Sequence, residues 1–332
     1  MMSDYTILTE KLVKKYGDFT AVAGVDLRVR RSEIFGLLGP NGAGKTTIVH
    51  ILTTVIKPTS GRAVVAGHDV VKEPDKVRKK IGVVFQDITL DLNLTAYENL
   101  WIHGKVYGIP SHELKRRIWR VLDFVGLKEH ANRIVKYFSG GMKRRLEIAR
   151  ALLHEPEVLF LDEPTLGLDP HARANVWDYI RRMRQEYGVT IFLTTHYLDE
   201  AEQLCDRIAI IDRGKIIAEG SPDELKSLVG SDVIIVRASN VEQATKILSA
   251  IPDVRNVKVL QDGRIELTVT NASKIIPLVI EELHRQGLQV LEISYRRPTL
   301  NEVFLHLTGR ELRESEESPI DIMRRVMMRR VR

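Results

Sequence analysis

Apolar and polar residues alternate between positions 5 and 30, with Tyr5, Ile7, Leu8, Val13, Val25, Leu27 and Val29 as the apolar members. Alternation of this kind predicts antiparallel strands with one face buried. Gly17 and Asp18 interrupt the run, and Tyr16 stands at the break. Glu33 to Leu38 form a short apolar run suited to a buried strand, while Ile48, Ile51, Leu52 and Val55 recur at i, i+3, i+4 and i+7, as on a helix. Pro58 to Gly61 stop that helix; Arg62 to Ala66 and Ile81 to Phe85 read as further strands, the second ending at Gln86. From 94 to 153 the pattern is helical. Thr95 and Glu98 make a capping box, and Leu114, Ile118, Val121, Leu122 and Val125 mark a helix closed by Gly126.

The chemistry sits where these strands hand over to loops and helices. Gly39, Pro40, Asn41, Gly42, Ala43, Gly44, Lys45, Thr46 and Thr47 join strand to helix and meet the pattern G-x-x-x-x-G-K-[ST]. Glycines let backbone amides turn inward around phosphate oxygens, the helix amino terminus adds positive potential, and Lys45 supplies a mobile cation. The Thr46 hydroxyl suits Mg²⁺. Val158 to Leu161 is the kind of apolar run found in a parallel sheet, and it delivers Asp162 and Glu163 to its carboxyl end. Paired acids there are costly without cations, which fits a metal-binding and water-activating pair. Ser139, Gly140 and Gly141 precede a helix carrying Leu146, Ala149, Leu152 and Leu153, an anion-binding position. Asp169 caps a helix opened by Pro170, and the strand Val189 to Thr194 leads to His196, which can donate to a phosphate.

At 332 residues the chain exceeds a typical single domain. After an expected hairpin from Arg207 to Glu219, the first domain should end near Gly230, giving 1–230. Strand 233–237, helix 241–250, strand 254–260, an Asp262-Gly263 turn, strand 264–269, helix 272–286 and strand 288–295 follow. This β-α-β-β-α-β order is ferredoxin-like. It has no clustered acids or glycine loops, so 231–309 reads as a docking or regulatory module. The tail 310–332 passes from acidic to basic residues and is either a membrane-surface helix or a charged terminus. The single cysteine, Cys205, excludes an internal disulfide and reads as packing on the apolar side of a helix. A net charge of +6 suits nucleic acid, an anionic membrane or a nucleotide equally. No run approaches the ~18 apolar residues that span a bilayer, and the start lacks a signal layout, so a cytoplasmic location is expected.

In order, the loop 39–47, Gln86, Phe138-Ser-Gly-Gly-Met142, Val158 to Thr165, Leu166-Gly-Leu-Asp169 and His196 resemble the motif set of ATP-binding cassette (ABC) transporter ATPases. The family's commonest signature is Leu-Ser-Gly-Gly-Gln; here Phe138 and Met142 occupy its outer positions. Met142, with the segments 194–202 and 298–309, resembles the subgroup named for daunorubicin-resistance exporters. The resemblance implies an α/β phosphate-loop domain with a mixed sheet core, an antiparallel β subdomain and a helical insertion, followed by a small α+β ferredoxin-like domain. It also implies a homodimer in which each ATP lies between one subunit's phosphate loop and the other's signature. Tyr16 would then stack on adenine, and Gly39 to Thr47 would bind ATP, with Lys45 on the β and γ phosphates. Thr46 and Asp162, joined by Gln86, would hold Mg²⁺, and Gln86 would sense the γ-phosphate as well as that ion. Glu163 would polarise the attacking water and His196 would contact the γ-phosphate. Asp169 would communicate across the dimer, and Ser139, Gly140 and Gly141 would close on the partner's ATP.

The expected function is therefore ATP hydrolysis driving a separate membrane permease that exports drugs, lipids or other hydrophobic compounds. The subunit would sit peripherally on the cytoplasmic side of the membrane, with residues 87 to 100 forming much of the permease contact and no nucleic-acid partner. The rival is a soluble cassette ATPase acting on nucleic acid or ribosomes, suggested by the basic charge. Such proteins usually carry paired cassettes or a long coiled-coil insertion, and neither is present. A phosphate-loop kinase would leave Ser139-Gly-Gly without a role.

Overall fold

The computed structural model describes residues 4 to 309, so the tail from Arg310 lies outside the described residues. Two compact units part between Pro222 and Asp223. Among the described residues no helix is long and apolar enough to cross a membrane.

The first unit opens with β1 (Tyr5–Tyr16) and β2 (Phe19–Arg30), paired antiparallel around the Gly17–Asp18 turn. There follow β3 (Ile34–Leu38), α1 (Lys45–Leu52), β4 (Ser60–Val65), β5 (His68–Asp69), α2 (Pro74–Lys80) and β6 (Ile81–Val84). A helical stretch comes next, with α3 (Ala96–Val106), α4 (Ser111–Phe124) and α5 (Gly140–Leu152). The unit closes with β7 (Val158–Asp162), α6 (Pro170–Tyr187), β8 (Thr190–Thr195), α7 (Leu198–Leu204), β9 (Arg207–Asp212) and β10 (Lys215–Gly220), and α8 (Pro222–Ser227) spans the division.

Two sheets organise this unit. One is antiparallel in the order β2-β1-β4-β5; the other runs β10-β9-β3-β8-β7-β6, parallel except for its β10 edge. Every residue of β3, β7 and β8 is buried, which is why β3 and β7 are nearly unbroken apolar runs and β8 sets Ile191, Phe192 and Leu193 among threonines. Val22, Val25 and Leu27 of the first sheet pack in one core with Phe35, Ile48, Phe160 and Phe192. The strand order has a functional consequence. It brings the carboxyl ends of β3, β8, β7 and β6 side by side, so the segments after Leu38, Thr195, Asp162 and Val84 emerge at one edge, where open α/β sheets bind ligands.

The helix beginning at Lys45 is shorter than its periodicity suggests. Thr53 caps it, Thr54 turns to a φ of 65°, and Val55 lies beyond its end, 55% exposed. Cys205 lies one residue past α7 and is buried, its thiol filling the space where a side chain at Gly36 would stand. The packing role expected for it is met from the extended backbone rather than from the helix.

The second unit contains β11 (Asp232–Ala238), α9 (Val241–Leu248), β12 (Val254–Val259), β13 (Ile265–Val269), α10 (Ala272–Arg285), β14 (Val290–Arg296) and α11 (Leu300–Thr308). Its strands are all antiparallel in the order β12-β13-β11-β14, the ferredoxin-like arrangement. Ile234, Val236, Ile265 and Leu267 on one face pack with Leu248, Ile275, Val279 and Leu283 of the two helices. The terminal α11, with a Thr299–Glu302 capping box, has no counterpart in the elements read from sequence.

Candidate functional site

The loop after β3 is shaped by its backbone neighbours. Gly42 and Gly44 take φ of 80° and 107°, and a Cβ on Gly44 would stand 2.4 Å from the Ala21 carbonyl oxygen. Only glycine meets both demands. The turn between β9 and β10 buttresses the loop, with Gly214 N–H donating to Ala43 O at 2.9 Å and Gly214 O accepting from Ala23 N–H at 2.9 Å. Sequence reading saw Gly214 only as a hairpin turn; nothing local reveals that it supports the loop.

Lys45 is buried. Its Nζ donates to Gly39 O at 2.7 Å and Pro40 O at 3.3 Å, and lies 3.2 Å from Glu163 Oε1. Burial pulls the Lys45 ammonium below its ordinary value, against the opposing attraction of Glu163. His196 Nδ1 approaches the other Glu163 oxygen at 3.1 Å. For Glu163 burial is the largest single influence and acts upward, but His196 and Lys45 together outweigh it and leave the carboxyl below its ordinary value. Glu163 also holds a φ of 49°, an unusual conformation for a side chain of this kind and the sort of backbone strain that collects at working sites.

Asp162 makes a different environment one residue earlier. Its partners are hydroxyls: Thr46 Oγ1 at 3.4 Å, and Thr194 Oγ1 in a short hydrogen bond. Burial drives its pKa up despite those two donors. Thr194 also accepts the Glu163 N–H at 3.1 Å, so a single threonine on β8 fixes both acids. Sequence reading passed over Thr194 as the end of a buried strand. A buried carboxylate beside a threonine hydroxyl is a hard oxygen set of the type Mg²⁺ prefers, so the residues present fit that ion.

The remaining expected residues divide into two groups. Gln86 leaves β6 next to β7, and its carbonyl accepts from Arg144 at 2.9 Å. Tyr16 is 48% exposed at the hairpin tip opposite the exposed Phe19, with Lys14 Nζ 5.1 Å from its ring centroid. Ser139 and Asp169 are helix caps, accepting from Met142 N–H at 3.2 Å and Ala172 N–H at 2.9 Å. Gly140 and Gly141 begin α5 beside Leu168 and Ala172, and do not join the Lys45 cluster. Neither glycine has a positive φ, and a Cβ would meet Leu168 only at 3.7 Å and Ala172 only at 3.3 Å.

The sequence pattern of the family described as ABC transporter matches residues 22–166, and that of the ATP-binding protein DrrA1-3-like C-terminal domain matches residues 220–308. The chain is 43% identical to the daunorubicin resistance ATP-binding protein DrrA3 of Streptomyces coeruleorubidus, over 95% of this chain and 99% of that one. The chain belongs to the ABC transporter ATP-binding family. It is also 40% identical to the linearmycin resistance ATP-binding protein LnrL of Bacillus subtilis (strain 168), over 92% of this chain and 99% of that protein. Among solved structures, the ABC cassette MJ0796, a dimer in a post-hydrolysis state bound to ADP and Pi, aligns with a TM-score of 0.59 at 28% identity, covering 65% of this chain and 98% of that one. As an ABC ATPase the protein binds ATP and hydrolyses it to drive transport.

Proposed function

We propose that this subunit powers a drug-resistance exporter, with the Lys45–Glu163–His196 and Thr46–Asp162–Thr194 clusters as the hydrolytic half-site. The carrying observation is Glu163. Its oxygens lie between a lysine and a histidine and its amide is pinned by Thr194, which fixes an ionised carboxylate in place to orient a water molecule. Lys45 and the amides at the start of α1 bind the β and γ phosphates. His196 contacts the γ-phosphate and Tyr16 stacks on adenine. Thr46 and Asp162 would hold Mg²⁺, with Gln86 as a sensor of that ion and of the γ-phosphate; when bound, the ion would supply positive charge facing the phosphates.

Gly140 supports a dimer. Neither backbone angle nor crowding within this chain requires glycine there, so its use points to a close neighbour from outside, namely ATP held on a partner's phosphate loop; at Gly141 a Cβ would already press on Ala172 at 3.3 Å. The MJ0796 cassette, a dimer bound to ADP and Pi, supports a dimeric working form. Asp169 lies in the adjoining loop, suited to communication across that interface. The daunorubicin- and linearmycin-resistance relatives support drugs or other hydrophobic compounds, lipids among them, as cargo; with that reading go a separate permease contacted through residues 87 to 100 and a peripheral position on the cytoplasmic side of the membrane. The 1–230 segment would carry catalysis and 231–309 a docking or regulatory role; the tail from Arg310 is a second candidate for membrane contact. For Glu163→Gln the expected result is retained ATP binding with turnover reduced by a factor on the order of 10² or more; unchanged turnover would overturn the assignment.

A further inference from the structure

Arg144 and Glu147 are buried on α5, three and six residues after Gly141, and the roles above use neither. Arg144 donates Nη1 to Phe85 O at 2.6 Å and Nη2 to Gln86 O at 2.9 Å, and pairs with Glu147 Oε2 at 3.0 Å. Glu147 Oε1 accepts from the Thr89 N–H at 2.9 Å and the Thr89 hydroxyl at 3.2 Å. One turn further, Arg150 donates to the Thr89 carbonyl at 2.8 Å and to the Thr89 hydroxyl. Three side chains at i, i+3 and i+6 of one helix thus hold the segment 85–89 by both of its ends.

The choice of residues is informative. Arg144 is 5% exposed and Glu147 0%. A buried ion pair generally stabilises a fold no better than well-packed apolar residues of similar volume. What it adds is orientation, because a planar guanidinium can serve two carbonyls and a carboxylate at once in fixed directions. Resting on the roles proposed above for Gln86 and for Ser139 to Gly141, we infer that Arg144, Glu147 and Arg150 form a coupling clamp. These positioning residues lock the segment carrying Gln86 to the helix whose first turn is the signature. The γ-phosphate sensor and the signature then move as one body, and displacement of residues 87 to 100 by a permease reaches both together.

Arg144→Lys in the full-length chain separates this role from plain charge balance. Lysine keeps a cation opposite Glu147, but its single ammonium lacks the fork that spans both carbonyls. Three quantities are read: hydrogen exchange of amides 85–90, affinity for a fluorescent ATP analogue, and kcat. Exchange at 86–89 should speed about tenfold while β7 and β8 stay protected, and kcat should fall about tenfold with analogue affinity within about twofold. Thr89→Val, an exposed change that spares the fold, should move the same readouts in the same direction by about threefold, and decides the matter if Arg144→Lys fails to fold. Unchanged exchange and kcat in these variants would overturn the clamp, as would a kcat loss matched by equal loss of analogue binding. If the unaltered chain shows no turnover, the catalytic reading fails, and the exchange data alone decide the clamp.

Discussion

Lys45, which opens α1, and Glu163, which follows β7, lie 3.2 Å apart, with 4% and 7% of their side chains exposed. The pair couples the phosphate loop to the acid that follows β7. A buried pair is costly to break from one side, since the remaining charge stays desolvated. Lys45 retains its two carbonyl acceptors, so Glu163→Gln should lower stability only moderately, by about 1–2 kcal/mol in chemical denaturation.

The pH dependence of that difference follows from Glu163 itself. Its folded-state value lies below the ordinary 4.5, so its stabilisation is complete above 4.5 and is lost as pH falls through the folded value. As far as Glu163 itself is concerned, melting curves of the unaltered chain and of Glu163→Gln should therefore separate above 4.5 and converge at more acid pH. Asp162 acts in the opposite sense. Its raised value makes its ionised form a burden that grows as pH rises above 3.8, and because the Glu163 charge contributes to that rise, the burden is smaller in Glu163→Gln.

Thr194→Val keeps the size of the side chain and removes the hydroxyl that donates to Asp162 and accepts from the Glu163 amide. Turnover should fall by about tenfold or more through misplacement of both acids, and the Mg²⁺ concentration for half-maximal rate should rise. Steady-state rates across a magnesium titration check this. Unchanged values would show that the acids hold their places without Thr194.

Two alanine substitutions should separate fold from assembly. Gly44→Ala meets a backbone oxygen at 2.4 Å and a φ of 107°, so it should destabilise the chain by about 2 kcal/mol or more, read as a lower Tm. Gly140→Ala meets only Leu168 at 3.7 Å and lies in the first turn of α5. Its Tm should be unchanged or slightly higher, since alanine favours helix by about 0.5–1 kcal/mol. Its turnover should nonetheless collapse, and in a Glu163→Gln background ATP should no longer drive dimers in analytical ultracentrifugation.

Much of the fold was legible because its signals are local. The fully buried β3 and β7 announce themselves as apolar runs, and the capping box at Thr95 marks a helix start. Other elements gave weak signals. The short α2 buries only Val77 among five charged residues, too little for a readable period, and Val55 continued a helical spacing that the Thr54 backbone had already broken.

The sequence by itself determined which chemistry this protein carries: a glycine-rich loop with Lys45 and Thr46, an Asp162–Glu163 pair after an apolar strand, and Ser139-Gly-Gly at a helix start. These are properties of neighbours in the chain. Only the tertiary structure decided that Thr194 fixes both acids, that Gly214 and Ala21 shape the phosphate loop, and that Arg144, Glu147 and Arg150 grip the segment after Gln86. The reason is physical. Those contacts join residues dozens to nearly two hundred positions apart, and their partners are mostly backbone oxygens and amides, which every residue type presents alike until folding places one of them within reach.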